Sequence, residues 1–92
     1  MKTMVTWSAQ PGKFAEAATN FLAGKGEPPA GLKMLGRWHS VDLGSGFVLF
    51  ETDDATLLYR NAAIWADILD VGVTVVIEDH EAAPILIEKY KQ

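Results

Sequence analysis

Apolar residues recur along this chain with two different periods, and the period switches at residues that interrupt structure. Residues 3–8 alternate and are rich in β-formers, so they read as a strand. Gln10, Pro11 and Gly12 break it. Residues 13–23 then repeat at helical spacing, with Phe14, Ala17, Ala18, Phe21 and Leu22 on one stripe and Gly24 placed to cap the end. Residues 25–31 are loop. Residues 32–40 and 47–52 read as two strands joined by the Gly-rich segment Asp42-Leu43-Gly44-Ser45-Gly46, which predicts an antiparallel hairpin. Asp53 and Asp54 are suited to start a second helix over 55–69, whose apolar side carries Leu57, Leu58, Ala62, Ile64, Trp65, Ile68 and Leu69. Residues 71–78 alternate again, with Val71, Val73, Val75 and Ile77 on one face. A last helix over 81–91 is expected, capped by Asp79, with Pro84 tolerated in its first turn.

The predicted order is β-α-β-β-α-β plus a terminal helix. That is the α+β, ferredoxin-like arrangement, with a four-stranded antiparallel sheet covered on one face by two helices. Ninety-two residues fit a single domain over 1–92. At 10.0 kDa a compact monomer should expose about 5,200 Å².

Two helices cover one sheet face only. On the other face the alternation puts Trp7, Leu35, Arg37, His39, Phe47, Leu49, Glu51, Thr74, Val76 and Glu78, if Trp38, Val48 and Phe50 point to the helices. A one-residue change in hairpin register would reverse part of this set. A face carrying Leu35, Phe47, Leu49 and Val76 is too apolar for water, so the expectation is a homodimer, sheet against sheet across a two-fold axis. Arg37, His39 and Glu51 would line the space between the two sheets.

Charge and composition narrow the partners. Twelve acidic against eight basic residues give a net charge of −4, which argues against nucleic acid or an anionic membrane as partner. There is no cysteine, so thiol nucleophiles and Cys-zinc sites are excluded. No signal peptide or membrane-spanning run is evident, and a cytoplasmic protein is expected.

The chemistry is concentrated in Gly36-Arg37-Trp38-His39. Within a strand, Arg37 and His39 share one face and Gly36 and Trp38 the other. A face bearing a guanidinium and an imidazole must meet water, a partner or a ligand. His39, with a reference pKa of about 6.5, suits a general base or an axial haem ligand, or else a strand histidine bonded at the dimer seam. Arg37 suits a carboxylate clamp, or an ion pair with Glu51 across the hairpin; Glu51 carries the same two readings. Trp7, Phe47 and Leu49 could form an apolar slot beside them. Trp7, Trp38 and Trp65 could stack on a flat ligand, but Trp38 and Trp65 are expected to fill core or interface, and as a core truncation Trp38→Ala would cost about 3–5 kcal/mol. Asp67 and Asp70 sit where the helix dipole disfavours carboxylates, which leaves nearby backbone or a partner chain as their counterparts. Glu78, Asp79, His80 and Glu81 have the composition of a metal cluster but not its spacing; helix capping explains them, and no metal or other cofactor is expected. Gly44-Ser45-Gly46 is a turn between strands and not a phosphate loop.

Met4 to Ser8, Gly36-Arg37-Trp38-His39, Gly44 to Phe47, Glu51 to Asp54, Trp65 to Asp70 and Val76 to Glu81 resemble, in order and spacing, the small bacterial proteins grouped as domain of unknown function 3303. The resemblance runs nearly end to end. It implies membership of the dimeric α-β barrel superfamily and gives no activity. Proteins of similar fold include cofactor-free monooxygenases, haem-degrading enzymes and ligand-binding barrels, and fold alone does not choose among them. Three functions are therefore carried forward. The first is a dimer that binds a small apolar or carboxylate molecule in a cavity lined by Arg37 and His39. The second is a cofactor-independent monooxygenase or isomerase with His39 as base. The third is a non-catalytic structural or regulatory dimer.

Overall fold

A computed structural model describes residues 1–91. Four strands form one antiparallel sheet, β1 (Lys2–Ala9), β2 (Lys33–His39), β3 (Ser45–Glu51) and β4 (Leu69–Val76), in spatial order β2-β3-β1-β4. Between them run α1 (Phe14–Asn20) and α2 (Ala55–Trp65), and α3 (Asp79–Tyr90) follows β4. The chain is an α+β, ferredoxin-like fold with one open sheet.

Most elements form where the pattern puts them, and the departures have local causes. The α1 helix runs on as one wide π-helical turn, Phe21–Lys25, kinked inside where Gly24 takes φ 86°. Only glycine adopts that conformation freely, so Gly24 breaks the helix as expected, but the residue after the turn is Gly26. The Asp54 carboxylate accepts from the Thr56 N–H at 2.9 Å and starts α2. That helix stops at Trp65 rather than at 69, because Leu69 pairs with Ala9 and begins β4. Ile68 and Leu69 continued the apolar stripe in sequence, but strand pairing claims them. The hairpin turn is shorter than expected, since Ser45 and Gly46 already belong to β3. In α3 the cap is Glu78, not Asp79. Glu81 accepts from the Glu78 N–H at 3.1 Å, and Glu78 accepts in return from the helix, a capping box. Pro84 consequently lies in the second turn and leaves the bond to the His80 carbonyl unmade.

One irregularity changes which residues face the helices. In β2, Met34 lies opposite Phe50 and Gly36 opposite Leu49, so Leu35 is an extra residue, a β-bulge. Beyond it Arg37 pairs with Val48 and His39 with Gly46. Val5, Val48 and Phe50 face the helices and are buried. Arg37, His39 and Trp7 therefore lie on the helix side too, and Trp38 on the open side. This corrects the expected assignment for those four residues. Phe47, Leu49, Glu51, Thr74 and Val76 do lie on the open face, as their pairing with Thr6, Met4 and Lys2 requires.

The buried core forms two clusters on the helix side. Val5, Leu32, Val48, Phe50 and Leu58 make one. Ala17, Ile68 and Leu69 make the other, with Trp7 and Trp65 packed against it. Trp38, 49% exposed, belongs to neither. Its ring folds back over Gly36 on the open face, 5.6 Å from the Phe47 ring, so the expected core truncation at Trp38 does not apply to the single chain. No helix among the described residues is long and apolar enough to cross a membrane.

Candidate functional site

The two core clusters do not meet everywhere. Between them a cleft of about 250 Å³ opens on the helix side of the sheet. Its floor is Trp7, Val48 and Phe50 from the strands; its walls are Phe14, Ala18 and Phe21 of α1 and its π-helical extension, and Asn61 and Trp65 of α2. Arg37 and His39 reach it from β2. The lining is aromatic and aliphatic, with few polar groups, as is usual for sites that take small organic molecules.

Each polar group is held by something the sequence specifies. Because of the bulge, Arg37 and His39 stand two residues apart on the cleft side. The Arg37 guanidinium lies 4.8 Å over the Phe21 ring, and its Nη1 donates to the Gly26 carbonyl at 2.7 Å. Gly26 is needed for that approach, since a Cβ there would sit 2.9 Å from the Phe21 ring. The arginine is thus fixed by a cation-π contact and one carbonyl, which leaves the rest of its five-donor fork uncommitted to a carboxylate. The His39 ring meets Trp7 at 5.4 Å and Phe21 at 5.2 Å, both edge-on. It is exposed at the rim of the cleft, where a bound molecule can reach it. Gly46 lets Trp7 lie flat across β3: a Cβ at Gly46 would come within 2.5 Å of the indole.

Of the residues singled out in sequence, the fold brings Trp7, Arg37 and His39 together and separates them from Phe47, Leu49 and Glu51, which sit on the opposite face. The alternative ion pair between Arg37 and Glu51 does not form. Glu51 lies opposite Lys33 and accepts instead from the Met1 amino group at 3.0 Å, which also donates to Asp53 at 2.9 Å. Sequence reasoning read Phe21 and Trp65 as core and passed over Asn61 altogether. The signal for Asn61 was present: it falls three residues after Leu58 and four before Trp65, a lone amide within the apolar stripe of α2.

The carboxylates near α3 are occupied by structure. Ligand atoms of Glu78, His80 and Glu81 lie within 4.8 Å of one another, but all three side chains are exposed. Glu81 and Glu78 form the capping box, and Lys2 lies 3.1 Å from Glu78. The hydrogen bond from Lys2, and then its charge, hold the Glu78 carboxyl below the usual carboxylate range.

Comparison with known proteins agrees with the end-to-end resemblance. The model of the family described as domain of unknown function DUF3303 matches residues 1–90. The chain belongs to that family. No curated protein and no solved structure matches this DUF3303 chain, so the geometry of the cleft is the ground on which its function is argued.

Proposed function

We propose that this DUF3303 protein binds a small, largely aromatic molecule through the cleft between sheet and helices, with a carboxylate or carbonyl group of that molecule met by Arg37 and His39. One observation carries the reading: an aromatic-lined cleft into which a guanidinium and an imidazole converge from a single strand. Asn61 supplies a third polar contact from the opposite wall. Burial of flat apolar area gives the affinity, and the guanidinium fixes orientation.

The reading is tested with 2-naphthoate as probe, followed by tryptophan fluorescence in a Trp38→Phe background, so that the signal comes from Trp7 and Trp65 at the cleft. Saturable binding is expected, weakened about tenfold or more by Arg37→Met, the scale of one charge-assisted hydrogen bond. Naphthalene without the carboxylate should bind more weakly and lose nothing in Arg37→Met. Absence of saturable binding, or equal affinity in wild type and Arg37→Met, removes the proposal.

A second reading is enzymatic. The exposed His39 ring at the rim is placed to take a proton from a bound molecule, as a cofactor-independent oxygenase or isomerase requires. Turnover lost in His39→Gln with binding of 2-naphthoate retained would select it.

The open sheet face is also part of the proposal. Trp38 and Phe47, 49% and 45% exposed, stack side by side there with Leu49 beside them, and we read this face as a seat for a second copy of the chain. Phe47→Asp should weaken self-association measured by sedimentation equilibrium.

A further inference from the structure

The terminal helix α3 is built to fold and has nothing to fold against. It has its own capping box and an acidic first turn, Asp79 and Glu81. Yet none of its 12 residues is buried, and Ile85, Leu86, Ile87 and Tyr90 are all exposed. An isolated helix of this length is marginal in water, because few backbone bonds offset the cost of nucleation. Some surface must cover its apolar side.

A complementary surface lies on the same chain. The helix side of β4 continues past the end of α2: Val73 and Val75 face that side and remain 47% and 58% exposed. Beside them a groove runs between α2 and β4, lined by Tyr59, Ala62, Ala63, Ala66 and Val71, with Asp70 at its end. The three alanines let a helix backbone approach closely. Asp70 lines the groove and Asp67 lies in the turn between α2 and β4, both exposed, while Lys89 is in the last turn of α3 and Lys91 just follows it.

We infer that α3 is an exchange arm, docking into the α2–β4 groove of a second copy of this chain while that copy's α3 docks into the first. Three observations identify the occupant as a second copy. The surface is 6444 Å², about 1,200 Å² above that of a compact monomer of this mass. A standard interface takes about 800 Å² from each partner, so the excess is of the size a stable dimer removes. The radius of gyration, 15.8 Å, likewise exceeds the value of about 12 Å for a compact chain of this length. Charge matches at one end only: Lys89 and Lys91, beside Glu88, are at the C-terminal end of the arm, away from its acidic first turn, and Asp67 and Asp70 lie near the groove. The inference does not rest on the small-molecule reading, and the groove does not overlap the open sheet face.

Mixing two defective chains tests it. Leu86→Asp spoils the arm, and Ala63→Glu spoils the groove. Wild type should sediment as a dimer at micromolar concentration, and each variant alone should associate at least tenfold more weakly, with an unchanged folded circular dichroism spectrum. An equimolar mixture should recover association, because it contains one intact arm and one intact groove. The exposed pairs Lys89→Glu/Lys91→Glu and Asp67→Lys/Asp70→Lys give a second test that spares all apolar packing: each pair alone should weaken the dimer severalfold, and their mixture should restore it. A monomeric wild type overturns the inference, as does a mixture that stays monomeric. A dimer that survives Leu86→Asp but not Phe47→Asp overturns the arm and leaves the sheet-face reading standing.

Discussion

The two faces of this sheet are made by the same four strands from similar side chains, yet they end in different states. On the helix side Val5, Val48 and Phe50 are sealed under α1 and α2. On the open side Trp38 and Phe47 lie half exposed, and no helix among the described residues covers them. Alternation gave each face its apolar residues; what the helices reach decides which of those residues become core. The bulge at Leu35 then moves two polar side chains under the helices and one tryptophan out. A face can therefore be partly polar because it is solvated or because it holds a site, and pattern alone does not separate the two.

The sharpest break between the faces is a pair of truncations. Phe50, 2% exposed, should lose about 3–5 kcal/mol on Phe50→Ala, whereas Phe47→Ala in the monomer should lose less than about 1 kcal/mol, both by urea denaturation at a concentration where the chain is monomeric. Equal losses would mean that the open face is covered. Trp38→Ala sorts with Phe47 in the monomer and moves toward Phe50 only where association buries it.

Next comes Gly46→Ala. Its Cβ would run into the Trp38 backbone carbonyl as well as the Trp7 indole, and overpacking of this kind costs about 1–3 kcal/mol. It should also weaken 2-naphthoate binding. Stability lost with binding unchanged would show that the clash is taken up by the β2–β3 backbone and not by the Trp7 indole. Smaller still, and opposite in sign, is Thr3→Val. The Thr3 hydroxyl is fully buried on the helix side with no hydrogen-bond partner among the described residues. Replacing it by a methyl of the same shape should stabilise by about 1 kcal/mol, read as a rise in melting temperature.

The smallest expected effect is a pH dependence. Glu78 has its folded pKa lowered by Lys2, and Asp54 has its own lowered by the hydrogen bonds it accepts from Thr56. A depressed carboxylate binds fewer protons folded than unfolded, so its contribution is present above the unfolded pKa, about 4, and fades as pH falls through the folded value. Both groups are at the surface, so the loss should be modest, and Glu78→Gln should flatten the acid limb of a melting-temperature profile taken between pH 7 and pH 3. An unchanged limb would show that the Lys2 contact contributes nothing measurable.

Local signals were legible wherever the cause was local. Gly24 kinks the turn that follows α1, Asp54 caps α2, and strict alternation marks β4, each because a short run of backbone needs that residue type. Arg37 and His39 were recognised as a pair because strand geometry puts residues two apart on one side. Their side of the sheet was not legible, because it depends on how β2 registers against β3 through an extra residue. Asn61 was overlooked because its meaning comes from the strand residues across the cleft, more than ten positions away in sequence. Element order, the Asp54 cap and the hairpin were thus determined by the sequence itself, since each depends on neighbours a few residues apart. The bulge, the cleft between two core clusters and the uncovered α3 were decided only in three dimensions, because strand register and helix coverage are settled by packing between distant segments, where one added residue reverses a face.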